Sequence, residues 1–146
     1  MARCIAESLR SWFKHCPALS DKSSFWIDYL GARATEYAIY LIPTQITAST
    51  DILGNTHVNH IQEQNFIFAS KEAYGHEIVQ NLQNLGFFEE IIKWMLARNA
   101  AKDFFTMDSG EVISILPTTT PSLLVADANT ARYQIQCKLR YTRKEV

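Results

Sequence analysis

His57 and His60 stand three residues apart in the sequence, a spacing that puts two imidazoles on one side of a helix but on opposite faces of a strand. The surrounding residues read as loop or strand and bring no Cys or Glu at ligand spacing, so the pair reads as solvated loop histidines and no metal is expected. Glu89 and Glu90 offer two carboxylates for acid/base work, yet neighbours on a helix point about 100° apart, and a solvated helix face is the simpler reading. Cys16 beside His15 has the residue types of an activated nucleophile. The cysteine, however, completes the apolar side of an amphipathic helix and reads as a small core residue. Arg132, Lys138, Arg140, Arg143 and Lys144 form a basic stripe with Tyr133 and Tyr141 interleaved. In a strand that alternation puts the rings on the opposite face from the cations, which is unsuited to stacking nucleobases. No nucleophile elbow, zincin motif, P-loop or dinucleotide-binding glycine motif occurs, so no enzyme activity and no cofactor is expected.

The elements around these residues are more informative. Residues 131–141 read ARYQIQCKLRY: Tyr133, Ile135, Cys137, Leu139 and Tyr141 alternate without exception with Arg132, Gln134, Gln136, Lys138 and Arg140. This is a strand with one face on a core, predicted to sit centrally in a sheet with its register fixed. Full burial of its apolar half contributes on the order of 10 kcal/mol before chain entropy is charged. At the other end, Ile5, Leu9, Trp12, Phe13 and Cys16 share one face of a helix that Pro17 cannot continue, with Glu7, Arg10 and Lys14 opposite. A polar linker follows, then a short extended FWIDYLG with a turn at Gly31. Residues 35–43, TEYAIYLIP, are apolar on both faces and predict a strand covered on both sides and stopped by Pro43.

Residues 44–59 are rich in Thr and Ser with Gly54-Asn55 at the expected tip, and read as a long loop or a mobile β-arm. Loops of this length usually do something, which makes Asp51, Asn55 and His57 candidate contact residues. Strand character resumes over 60–70, with Phe66 and Phe68 on one face and Ile67 on the other. Residues 72–101 are predicted helical, in two consecutive segments kinked at Gly86, with Ile78, Leu82, Leu85, Ile92 and Leu96 as one stripe and Phe87, Ile91 and Trp94 opposite; both cover the sheet. Asp108-Ser109-Gly110 signals a turn before the strand EVISILP, 123–126 is a short extended piece, 127–129 a turn, and 142–146 a basic tail.

The order predicts a single α+β domain over 1–146, with an antiparallel or mixed sheet of about four main strands and helices on one face. A chain of 146 residues with 47% apolar and 20% charged residues can bury one such core without staples. Its net charge of -1 argues against a life on phosphate backbones. Cys4, Cys16 and Cys137 read as free thiols of a reducing compartment, and neither a membrane span nor a signal peptide is expected.

Taken in order, IAESLRSWFKHCP, IDYLG, EYAIYLIP, NFIFAS, FFEEIIKWM, EVISILP and above all ARYQIQCKLRY give the chain its overall pattern. In these segments it resembles the small tail-terminator proteins of long-tailed phages, particularly those of Gram-positive phages and prophages often labelled minor capsid proteins. The resemblance implies a structural protein of the virion neck, assembled in the bacterial cytoplasm, that caps the tail tube as a ring, usually a homo-hexamer. Its implied partners are copies of itself, the tail-tube protein and the head connector protein, with DNA met only by passage through the channel. Arg132, Gln134, Gln136, Lys138 and Arg140 would then be a subunit-contact face. Another head-completion protein of the neck and a small nucleic-acid-binding regulator are the alternatives.

Overall fold

A computed structural model of the chain describes residues 4–19, 24–30, 36–75, 78–107, 110–126 and 129–143. The sequence-predicted turns at Gly31, at Asp108-Ser109 and at Asp127, most of the linker after α1 and the last three residues of the basic tail lie outside them.

The fold is α+β. Two helices, α1 (Ile5–Phe13) and α2 (Ile78–Ala101), pack on a six-stranded mixed sheet of β1 (Phe25–Ile27), β2 (Glu36–Leu41), β5 (Ile61–Ala73), β6 (Gly110–Pro117), β7 (Ser122–Ala126) and β8 (Thr130–Arg143). A separate hairpin is made by β3 (Ala48–Thr50) and β4 (Thr56–Val58). The strand order is β1-β2-β5-β8-β6, with β7 also pairing β8. Only β1 and β2 are parallel; every other pair is antiparallel.

The four strands with the strongest sequence patterns are the four longest ones, and β8 is central: β5 pairs along one edge of it, β6 and β7 share the other. Ala131, Tyr133, Ile135, Cys137 and Leu139 are all buried, as the alternation predicts, and Tyr141 packs at the margin of the core. The residues Thr142 and Arg143, read from sequence as the start of a tail, continue the ladder, and the Arg143 amide donates to the His60 carbonyl at 2.7 Å. β5 likewise runs to Ala73 rather than giving way to helix at Glu72, because β8 is long enough to pair Ala73 with Thr130.

Phe66 and Phe68 of β5 meet Phe13 of α1, and Phe68 and Tyr133 meet Phe88 of α2. Both helices therefore lie on one face of the sheet. Strand β2 is buried on both faces over its first four residues, as expected: Tyr37 and Ile39 enter the core, and Glu36 and Ala38 are buried on the opposite face. Ala38 stands opposite Ala69 in register, and Arg132, one row away, reaches over these two small residues to place its guanidinium 4.5 Å from the Tyr40 ring centre.

Helix α2 differs from expectation in two ways. It runs unbroken through Gly86, whose intrinsic cost of about 1 kcal/mol is outweighed by one continuous buried stripe, Asn84, Phe88, Ile91 and Met95, spaced i, i+4, i+7 and i+11. That stripe is also not the aliphatic one. The sheet presents aromatic rings, so α2 turns Phe87 onto Tyr37 (5.7 Å, stacked) and Phe88 onto Phe68, and sets Trp94 against Trp12 (4.5 Å). Ile78, Leu82, Leu85 and Leu96 are left outside; only Ile92 of the predicted stripe packs against the core.

Cys16 and Cys137 are buried, and burial pushes both thiols above their ordinary range, which makes them poor nucleophiles. Cys4 is exposed. Native protein is therefore expected to react with iodoacetamide at Cys4 alone, with Cys16 and Cys137 labelled only after denaturation; mass spectrometry of the labelled peptides checks this.

Candidate functional site

The sequence singled out two groups, and the structure puts them in different places. Asp51, Asn55 and His57 lie in the β3-β4 hairpin, the form that residues 44–59 take. Asp51 organises the tip. Its Oδ1 accepts the Leu53 and Asn55 amides at 2.9 Å each, and its Oδ2 lies 2.8 Å from His57 Nε2. The Asp51 amide donates to the Asn55 carbonyl, and Gly54 takes a positive φ of 84° that lets the three-residue turn close. These three residues thus brace the tip from within. What the tip presents is Ile52, 100% exposed, and Leu53, 82% exposed. The sequence reading missed both; two aliphatics between a turn-forming Asp and a Gly are the signal that marks them.

The hydrogen bond to His57, followed by those from the tip amides, holds the Asp51 carboxyl below its ordinary range. A carboxylate with a lowered folded-state pKa stabilises the structure above the unfolded value, and that contribution is lost as pH falls through the lowered one. The change in the Leu53 and Asn55 amide resonances that accompanies protonation of Asp51 is therefore expected at lower pH than for an ordinary aspartate. In Asp51→Ala they should show the loosened-tip positions at every pH, as read by two-dimensional NMR.

The arm base is fixed by Gln62, 3% exposed, whose Oε1 accepts the Thr47 amide (3.1 Å) and whose Nε2 donates to the Thr47 and Asn59 carbonyls (3.0 and 2.7 Å). Removing a buried side chain that pairs three backbone groups costs about 1–3 kcal/mol.

The second group, Arg132, Gln134, Gln136, Lys138 and Arg140, lines the helix-free face of the sheet, with Gln136 and Arg140 exposed and the others half-buried. Its charges are largely paired. Glu63 of β5 takes Lys138 at 3.2 Å and Arg140 at 3.5 Å, and Arg132 lies on Tyr40 and donates to Gln134 Oε1 at 3.3 Å. Glu63 thus offsets part of the stripe's charge, one carboxylate against the three cations Arg132, Lys138 and Arg140, a partnership the sequence could not reveal because Glu63 sits on another strand.

The residues weighed for chemistry fall apart. His57 is tied to Asp51, and His60 is exposed at the mouth of β5. Glu90 makes a surface pair with Lys93 at 3.7 Å, and Glu89 is exposed. His15 is exposed while Cys16 is buried. Among the described residues no three His, Cys, Asp or Glu side chains converge as a metal site would require, and no helix is long and apolar enough to cross a membrane.

Large apolar side chains, by contrast, stand exposed on several elements, among them the arm tip, the outside of α2, where Ile78 is 74%, Val79 67% and Leu82 61% exposed, and edge strand β7, with Leu123, Leu124 and Val125. No family model matches the chain, and no curated protein matches it.

Proposed function

We propose that this chain is a structural assembly protein of the tail-terminator type, which caps a phage tail tube as a ring, ends its polymerisation and joins the tail to the head connector. The observation that carries the reading is the apolar surface left open on separate elements of one subunit. A monomer gains nothing from such patches, whereas a subunit that must touch both a neighbour and a tube needs them. A ring requires two different patches per subunit, since head-to-tail contacts close only when unlike surfaces meet. The ordered sequence resemblance supports the same reading: IAESLRSWFKHCP spans α1, EYAIYLIP spans β2, and NFIFAS, FFEEIIKWM, EVISILP and ARYQIQCKLRY lie on β5, α2, β6 and β8.

The test is polymerisation of purified tail-tube protein with and without this chain, followed by negative-stain imaging, together with sedimentation of the chain over a concentration series. Tubes of arrested length with a ring at one tip are expected. A strict monomer that leaves tube growth unchanged overturns the proposal, and binding to connector but not to tube would make the chain a different neck component.

A further inference from the structure

Strand β8 bonds its two sides by turns. Its Arg143 amide donates to the His60 carbonyl and its Gln136 carbonyl accepts the Thr118 amide, both at 2.7 Å, so odd-numbered residues of β8 bond towards β5 and even-numbered ones towards β6 and β7. A residue of β6 or β7 that stands opposite an odd-numbered position therefore points its own N–H and C=O away from the sheet. On β6 Ile115 is such a residue, opposite Leu139; on β7 they are Leu123, opposite Tyr133, and Ala126, opposite Ala131.

Outward backbone groups of this kind accept another strand unless something occupies them. Of the outer strands β1, β6 and β7, two have a side chain set there. Asn99 takes both groups of Ile115 on β6, and on β1 Arg10 Nε donates to the Phe25 carbonyl at 2.7 Å. Strand β7 has no counterpart: among the described residues no group bonds the outward N–H or C=O of Leu123 or Ala126. Charge does not guard this edge either. Residues 117–126, PTTTPSLLVA, carry no acidic or basic side chain, and Leu123, Leu124 and Val125 are all exposed. An edge that meets only water is ordinarily protected by a lysine or another charge.

The partner that fits is thus a strand, and two copies of the chain have one way to supply it to each other. With β1 and β6 occupied, an edge contact between their six-stranded sheets joins β7 to β7, which a two-fold axis does. Placed between Leu124 and Val125, that axis sets Leu123 opposite the second copy's Ala126 and Leu124 opposite its Val125. The outward-pointing residues then meet each other at both ends of the pairing, and every apolar side chain faces an apolar one. Asp127, the nearest carboxylate in sequence, follows the paired residues, and antiparallel pairing keeps its two copies at opposite ends.

We infer that β7 is a self-association edge, through which two copies pair antiparallel over residues 123–126 and join their sheets. The contact closes on itself, because each copy spends its open edge on the other. It is not the repeating contact of a ring, so it is independent of the terminator reading and leaves the arm tip and the outside of α2 for the unlike contacts that a ring needs.

Sedimentation equilibrium of the full chain under reducing conditions, paired with hydrogen exchange read by NMR, tests this. A monomer–dimer equilibrium is expected, in which the Leu123 and Ala126 amides exchange at least tenfold more slowly when the dimer is filled than in dilute protein. Leu123→Pro removes an N–H that β8 does not use, and Val125→Lys puts a charge on the pairing edge. Each should weaken dimerisation at least tenfold, while the circular dichroism spectrum and the urea midpoint of dilute protein stay as in the parent. A chain that is monomeric at every concentration, or dimers that persist undiminished in both variants, overturn the inference. Protection of the two amides that appears only with polymerised tail tubes assigns the edge to a strand of the tube protein and overturns it as well.

Discussion

Replacing Phe68 by alanine is expected to destabilise the domain by about 3–5 kcal/mol, the range for a large aromatic removed from a packed core. The ring is fully buried at the meeting point of four elements: it stacks on Phe13 of α1 at 5.0 Å and lies 5.9 Å from Phe25 of β1, 6.1 Å from Tyr37 of β2 and 5.9 Å from Phe88 of α2. Truncation leaves a cavity bordered by four other rings, which cannot collapse without pulling both helices off their positions. Since a domain of this size holds only some 5–15 kcal/mol in total, the urea midpoint should fall by about a fifth or more, and Phe68→Leu should recover much of the loss. A cost below about 1.5 kcal/mol would mean that the rings repack freely.

The second large effect is expected at Asn99. Among the described residues strand β6 ends the sheet, with β8 on one side and no strand on the other. Asn99 of α2 takes the place of that missing strand at Ile115: its Oδ1 accepts the Ile115 amide at 2.9 Å while its Nδ2 donates to the Ile115 carbonyl at 2.6 Å and to the Met95 carbonyl of its own helix at 2.6 Å. Ile115 is fully buried, so water cannot replace these bonds. Asn99→Ala leaves a donor and acceptors unpaired, at a cost of about 2–4 kcal/mol. Asn99→Asp keeps the acceptor but turns a second oxygen onto the Met95 and Ile115 carbonyls, and should cost at least as much as alanine. Hydrogen exchange at the Ile115 amide separates this account from a general loss of stability, because in Asn99→Ala that amide should exchange faster than its β8-facing neighbours.

Asn99 also illustrates what a sequence withholds. The α1 face and above all the alternation of β8 were legible, since each has one buried side and one wet side and the period declares which is which, and β2 was legible from the apolar and β-branched residues on both of its faces. Helix α2 was not, because it is apolar on nearly every side: aliphatics and aromatics compete for the interior, and only the rings waiting on β5, β2 and β8 decide the contest for Phe88 over Leu82. The same ambiguity made Gly86 look like a break. Strands of three to five residues, β1 and β7, show only as short extended pieces because they are too brief to establish a period. In the candidate site, turn chemistry pointed to Asp51, Asn55 and His57, which do come together; their task of presenting Ile52 and Leu53 depends on exposure, which no local pattern encodes. The basic stripe was visible, and its ion pairs with Glu63, some seventy-five positions from Lys138, were not.

The pairing of β5 with β8 has a further consequence, in time rather than in space. Ile61 meets Thr142 and Ala73 meets Thr130, so the longest ladder in the sheet closes loops of roughly 60 to 80 residues. Synthesis proceeds from the N-terminus, and β2, β5, α2, β6 and β7 are all made before β8, the strand that joins them. Until β8 arrives, β5 and β6 hold open edges beside aromatic residues that have no sheet to bury them. Folding of such a topology is slow, in the range of milliseconds to seconds, and the waiting chain is the form most prone to aggregate. Yield of active protein should thus be governed by how long the nascent chain waits for fourteen residues, which makes low expression temperature and chaperone supply the first variables to adjust when it is produced.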